Sequence, residues 1–213
     1  MSEPAGKPET VTYDIDPGTA ALVGVDFQRG FGHGFEPVPH ADAAVANFTA
    51  LARAWRAAGG TVLHVHTAYT PQRAPTGRIT DFVPGIAGAL SEGSPMAAFY
   101  EGMVEEGDVL VPKTTFSAVL SSDLPAQLAQ LGLDTAIVGG LTTPICVQTT
   151  VDALSMTGTK VCLVADACAS QPIGSLSAEE AHDAAVQRMG YLFAMVTTTT
   201  AIIEAMRAPA AAR

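Results

Sequence analysis

The chain is short of cysteine, of aromatic side chains and of positive charge, and it has no apolar run of membrane length. Its 213 residues hold three cysteines, Cys146, Cys162 and Cys168. That is an odd number with no C-x-x-C pair, which argues against a disulfide scaffold and for a reducing, cytoplasmic setting. Eleven Lys and Arg stand against 21 Asp and Glu, a formal charge of −10. Such a surface repels phosphate backbones and anionic lipid, so nucleic acid and membrane are not expected partners. No stretch approaches the roughly 18 apolar residues that a membrane span requires, and the polar opening segment is not a secretory leader. Aromatics make up only 6% of the chain while Gly numbers 20, so helices and strands can approach closely. What remains is ample: 48% of residues are hydrophobic, enough for one sizeable core at this length.

Strand and helix signals alternate along the chain. Ala20 to Val25 is a continuous apolar run stopping at Asp26, as a strand buried on both faces requires. Val45, Phe48, Ala52 and Trp55 recur at helical spacing within 39–59, with Gly59-Gly60 as the stop. Residues 61–66 read as a second strand and 108–112 as a third. Between them, 67–107 is rich in Gly and Pro, with a short helical stretch at 86–90. A connection that long inside a compact domain is usually a lid, a pocket wall or a subunit contact. A helix over 124–131 precedes a strand over 135–138, and after Gly139-Gly140 a helix runs from Ile145 to Met156. A fifth strand spans 161–165. Ser177 with Glu180 three residues on forms a capping-box pattern for a helix reaching Met189. A strand at 193–196 and a helix at 199–206 complete the order. The expected architecture is α/β: a three-layer, doubly wound sheet of six mostly parallel strands with helices on both faces. One domain is expected over 10–207, with flexible tails at 1–9 and 208–213.

Sites in open α/β sheets gather beyond the carboxyl ends of the strands. Three such ends carry reactive groups: Asp26 after the first strand, Lys113 after the third, and Cys146 on the turn and helix start after the fourth. A thiol is a weak nucleophile until ionised, and both a helix N-terminus and a nearby Lys favour the thiolate. On this reading Asp26 accepts the thiol proton and later returns it, while Lys113 holds the carboxylate and lowers both acidic groups.

Each residue also has a plainer reading. An Asp at a strand end is often a cap, a lone Lys is usually a solvated charge, and a lone Cys is commonly a small core residue. Cys162, between Val and Leu in mid-strand, is read as core. Cys168, in Asp-Ala-Cys-Ala-Ser after the fifth strand, is left open at this point.

Taken together, Val-Gly-Val-Asp26-Phe-Gln-Arg-Gly-Phe, Val-Pro-Lys113-Thr-Thr-Phe-Ser-Ala and Gly-Gly-Leu-Thr-Thr-Pro-Ile-Cys146-Val-Gln-Thr-Thr resemble the isochorismatase-like hydrolases. That group includes nicotinamidase and N-carbamoylsarcosine amidohydrolase. The resemblance runs from about Ala20 to Met206. It implies a Rossmann-type six-stranded sheet and an Asp26–Lys113–Cys146 triad for cysteine hydrolysis of a small amide or ureide through a thioester. It also implies a cis peptide between Leu141 and Thr142. That turn would aim the backbone N–H groups of Thr142 and Cys146 at one point as an oxyanion hole. A homo-dimer or homo-tetramer is a further implication.

Phe27, Gln28, Phe31 and Phe116 flank the triad and are candidate pocket residues, although Phe31 and Phe116 suit a core equally well. His64 and His66 share one strand face, but a metal needs at least three convergent ligands, and neither metal nor cofactor is expected. Gly30-Phe31-Gly32-His33-Gly34 lacks the G-x-G-x-x-G register of dinucleotide loops. Three rival functions remain: vinyl-ether hydrolysis with Asp26 as acid and no thiol, nicotinamidase, and a non-catalytic binding module.

Overall fold

The computed structural model describes residues 11–207. The tails expected at 1–9 and 208–213 lie outside these residues. Six strands form one sheet: β1 (Ala20–Val25), β2 (Thr61–Thr67), β3 (Val109–Lys113), β4 (Thr135–Leu141), β5 (Lys160–Ala169) and β6 (Met195–Thr197). Their order is β3-β2-β1-β4-β5-β6, and every neighbouring pair is parallel. Parallel strands need crossover helices, and right-handed crossovers place those helices on both faces.

The side-chain alternation of β1 divides the core in two. Ala21, Val23 and Val25 point to one face, with Leu63 and Val65 of β2. They meet α4 (Ala118–Ser121), α5 (Leu124–Gln130), α6 (Gln148–Met156) and α7 (Ala178–Leu192) through Ala118, Leu128, Val151, Leu154 and Met189. Ala20 and Leu22 point to the other face. There α1 (Ala41–Ala57) and α8 (Thr199–Arg207) supply Phe48, Leu51, Ala52, Trp55 and Ile202. The three-and-four spacing of Phe48, Leu51, Ala52 and Trp55 is the apolar stripe that makes α1 a sheet-covering helix. Fully burying a side chain of the Leu or Phe class contributes about 1.5–3 kcal/mol, so these two interfaces carry most of the driving force. Trp55 also donates its indole N–H to Thr61 O at 3.0 Å, locking the end of α1 to the start of β2. The Ser177–Glu180 capping box is formed at the start of α7.

Three of the boundaries that differ from the sequence expectation shape the site. Gly139-Gly140, placed beyond a strand ending at 138, lies inside β4. A Cβ on Gly140 would collide with the Val25 carbonyl, and one on Gly139 would press on Ala167 O; the pair therefore lets three strands close together. β5 continues four residues past the expected end at 165, to Ala169, with a register shift opposite Val138 and Gly140. The helix expected from Ile145 starts earlier, as a π-helical turn over Thr143–Val147 that feeds α6.

The long connection 67–107 folds into a wall. It contains α2 (Ile79–Phe82) and α3 (Ile86–Ala89), and Tyr69, Ile79, Ile86 and Leu90 form a third small apolar cluster against Phe31, Met96 and Phe116. Tyr69 N–H donates to Leu90 O at 2.8 Å, and Glu92 N–H to Tyr69 O at 2.9 Å.

Candidate active site

The strand order reverses direction between β1 and β4, and the crevice beyond their carboxyl ends is where such sheets place ligands. Asp26 follows β1 with φ 52°, a left-handed conformation that Asp tolerates better than most residues. Its N–H still donates to Val65 O at 2.8 Å, so the residue turns the chain while staying in the sheet ladder. Across the crevice the Leu141–Thr142 peptide is cis, and the π-helical turn that follows carries Cys146. Thr143 Oγ1 pairs with His182 Nδ1 at 2.9 Å, pinning this turn to α7. Lys113 is the last residue of β3.

These three side chains meet. Lys113 Nζ lies 2.8 Å from Asp26 Oδ2 and 3.8 Å from Cys146 Sγ. An ammonium has three hydrogens, and here the acceptors are Thr67 Oγ1 at 3.0 Å, Thr115 O at 2.9 Å and the Cys146 sulfur. Four acceptors therefore share three hydrogens, and the Asp26 carboxylate at 2.8 Å holds the cation as a buried ion pair. Asp26 Oδ1 also accepts from the Thr67 hydroxyl at 3.2 Å. Thr67 thus links the carboxylate and the cation, a contact that the sequence reading did not include.

The site is nearly dry: Asp26 is 0%, Lys113 2% and Cys146 3% exposed. Burial by itself would depress the Lys113 ammonium, but the charges of Asp26 and Cys146 overcome it and hold the group above its ordinary value. The Cys146 thiol is raised above its usual range. Burial is the main cause, Lys113 opposes it and Asp26 adds to it. This differs from the expectation that Lys113 and the helix start favour the thiolate. Desolvation penalises the charged form, and here it outweighs the ammonium. The thiol lies beside the Asp26 carboxyl group, so its proton has an acceptor at hand.

Lys113 and Cys146 border a cavity of about 360 Å³ whose walls include Phe31, Phe35, Tyr69, Phe82, Phe116 and Ile145, with Thr142, Glu36 and Gln171 as polar members. Phe31 and Phe116, read as pocket or core alike, line it and also pack on the third apolar cluster. Phe27 and Gln28 do not line the cavity, and the expectation for them is corrected. Consecutive residues after β1 point to different sides. Phe27 packs on Phe48 with ring centroids 4.5 Å apart on the α1 side. Gln28 is fully buried: its Oε1 accepts from Thr67 N–H at 2.8 Å, and its Nε2 donates to Thr67 O and Ala97 O. It clamps the end of β2, and with it Thr67. Burial pushes the Tyr69 phenol up to about 12, so it stays protonated near neutral pH.

Cys162 and Cys168 are buried and pushed up to about 12 by burial. His64 pairs through Nε2 with Asp108 at 3.0 Å, away from the cavity. Among the described residues no group of three or more His, Cys, Asp or Glu is arranged to hold a metal, and no helix is long and apolar enough to cross a membrane.

Comparison with known proteins decides the family. The Isochorismatase domain matches residues 20–201. The chain belongs to the isochorismatase family. Within it, maleamate amidohydrolase from Pseudomonas putida is 30% identical over 138 residues, 63% of this chain and 65% of that protein. A probable inactive nicotinamidase of Arabidopsis thaliana is 33% identical over 86 residues, 39% of this chain and 44% of that one. The match therefore spans less than two thirds of either relative. Among solved structures, a cysteine hydrolase from Pseudomonas syringae pv. phaseolicola 1448A superposes with a TM-score of 0.86 at 27% identity. That superposition covers 94% of this chain and 98% of the other. The chain shares the six-stranded parallel fold of its structural neighbours in the family.

Proposed function

We propose that this isochorismatase-family hydrolase cleaves the C–N bond of a small amide or ureide through a thioester on Cys146. The observation that carries the reading is the buried Asp26–Lys113 ion pair at 2.8 Å beside a buried thiol that borders an apolar cavity.

In the first half-reaction the Cys146 sulfur attacks the carbonyl carbon as its proton passes to Asp26. The resulting oxyanion lies against the backbone N–H groups of Thr142 and Cys146; such donors are each worth about 3–4 kcal/mol by mutagenesis. When the intermediate collapses, the C–N bond breaks and Asp26 returns the proton to the departing ammonia or amine. In the second half-reaction water attacks the thioester while Asp26 takes its proton. Collapse regenerates the thiol and releases the acid. Lys113 stays charged throughout and keeps Asp26 in register with the sulfur. The vinyl-ether alternative uses Asp26 alone as an acid and leaves the buried thiol without a task.

Cys146→Ala is expected to abolish ammonia release across a panel of carboxamides and ureides while the fold persists. Intact-protein mass spectrometry of the wild type under turnover should show an acyl adduct on the peptide carrying Cys146. Full activity in the alanine variant would overturn the thioester route.

A further inference from the structure

We infer that Thr67 is a positioning residue for Asp26, held for that task by Gln28. The inference rests on the thioester reading and adds to it two residues outside the triad.

Where β1 ends, β2 runs on. Val25 is the last residue of β1 in register with β2, opposite Val65, and Asp26 N–H still donates to Val65 O at 2.8 Å. The left-handed turn at Asp26, φ 52°, then takes the backbone out of the ladder. Thr67 lies two residues past Val65, so its N–H and C=O point to the same side, where the strand has stopped. Thr67 is only 1% exposed, and buried backbone groups need partners. Gln28 supplies them. Its Oε1 accepts from Thr67 N–H at 2.8 Å, and its Nε2 donates to Thr67 O at 2.8 Å and to Ala97 O at 2.6 Å. One carboxamide thus stands in for a peptide group of the strand that has ended, and both of its N–H hydrogens are used.

Fixing the backbone of Thr67 fixes its hydroxyl, which lies 3.0 Å from Lys113 Nζ and 3.2 Å from Asp26 Oδ1. An ammonium only donates. The hydroxyl oxygen therefore accepts from Lys113, and its single hydrogen goes to Asp26. Lys113 itself reaches Asp26 at Oδ2, 2.8 Å away. A single contact leaves a carboxyl group free to turn, because its last torsion is soft, and a lysine stem is flexible as well. With Lys113 on one oxygen and Thr67 on the other, the carboxyl plane is set. The face that Asp26 turns to the Cys146 thiol is set with it, which is what taking and returning a proton requires.

Hydrolysis of 4-nitrophenyl acetate, followed as nitrophenolate release, tests this with a generic acyl donor. Cys146 displaces nitrophenolate from the ester, and water then cleaves the acetyl thioester while Asp26 takes its proton. Thr67→Val keeps the volume and loses the hydroxyl, and its kcat should fall about tenfold, or about 1.4 kcal/mol on the barrier. Thr67→Ser keeps the hydroxyl and loses a methyl, and should recover most of that loss. A role in packing alone predicts the reverse order. That reverse order, or a Thr67→Val kcat within about twofold of the wild type, would overturn the inference. Gln28→Met keeps the length of the side chain, loses all three bonds and should also lower kcat. Added to Thr67→Val it should lower kcat no further, because a residue acting through the hydroxyl then has nothing left to position. Losses that multiply would overturn the part given to Gln28. Should Gln28→Met prove unfolded by circular dichroism, the order of the two Thr67 variants decides. Wild-type release no faster than that of Cys146→Ala would overturn the thioester reading and this inference with it. Release that depends on Cys146 but is indifferent to Thr67→Val would overturn the inference and keep the reading.

Discussion

Two ionic groups sit beside the same sheet, one beyond each end of its strands, and they are built to opposite ends. Asp108, just before β3, has both oxygens saturated. Arg56 Nε reaches Oδ1 at 3.0 Å, while Oδ2 accepts from Arg56 Nη2 at 2.6 Å, His64 Nε2 at 3.0 Å and Glu105 N–H at 2.9 Å. Asp26, just after β1, has one cation at 2.8 Å, one hydroxyl donor at 3.2 Å and a thiol beside it. Both carboxyl groups are buried and both face a positive side chain. The crowded carboxylate of Asp108 ties α1, β2 and the turn before β3 together. A carboxylate beside a thiol can take and return a proton. Burial and pairing alone therefore do not mark a site; the neighbouring thiol and cavity do.

Exchanging the carboxyl for an amide at each end should break this comparison most sharply. Asp26→Asn removes the proton carrier and is expected to lower kcat/KM by about a thousandfold, within the range for general acid–base groups, with the chain still folded. Asp108→Asn should leave kcat/KM within about threefold, an effect of under ~1 kcal/mol on the barrier. Matched losses in the two variants would refute the division. Steady-state ammonia release with circular dichroism of both proteins is the measurement.

Stability should show the reverse order. Asp108→Ala leaves Arg56 and His64 facing each other without their carboxylate, and breaking a buried pair from one side costs about 3 kcal/mol or more. The urea midpoint should drop accordingly. A drop as large in Asp26→Asn would mean that the triad is structural as well.

The smallest effect is in pH. Burial, the largest cause, lowers His64 below its ordinary value of 6.5 despite the pull of Asp108. For Asp108, burial works upward, but Arg56, the Glu105 N–H and His64 together bring the carboxyl below 3.8. A group depressed on folding binds fewer protons in the native state than in the unfolded chain, so stability rises with pH across its range. The contribution of His64 is complete above about 6.5 and lost as pH falls through its folded value. That of Asp108 is complete above about 4 and lost below. Chemical denaturation from pH 8 to 4 should show falling stability, with the loss near neutrality reduced in His64→Gln. Stability that is flat from pH 8 to 5 would contradict the sign for His64.

Much of this was legible in one dimension because the signals are local. The unbroken apolar run Ala20–Val25 reads as a strand buried on both faces, and it is one. The stripe through Phe48 and Trp55 made α1 evident, and Ser177 with Glu180 marked the start of α7. Asp26, Lys113 and Cys146 stood out because each follows a recognisable strand within a few residues. Gly139-Gly140 misled because a glycine pair looks the same whether it turns the chain or lets Val25 and Ala167 press against it. Gln28 misled because polarity beside a catalytic candidate suggests a pocket, whereas its amide ties two backbone segments. Thr67 and Gln171 carried no signal at all: a threonine ending a strand and a glutamine in a loop are ordinary until their neighbours are known.

The sequence by itself determined the element order and the expected parallel sheet, which rest on alternating strand and helix signals, and it singled out a thiol, a carboxyl and an ammonium at three strand ends. Only the tertiary structure decided that Lys113 sits within reach of Asp26, Thr67, Thr115 and Cys146 at once. It alone raised the thiol instead of lowering it, because desolvation depends on everything packed around a group and not on the residues beside it in the chain.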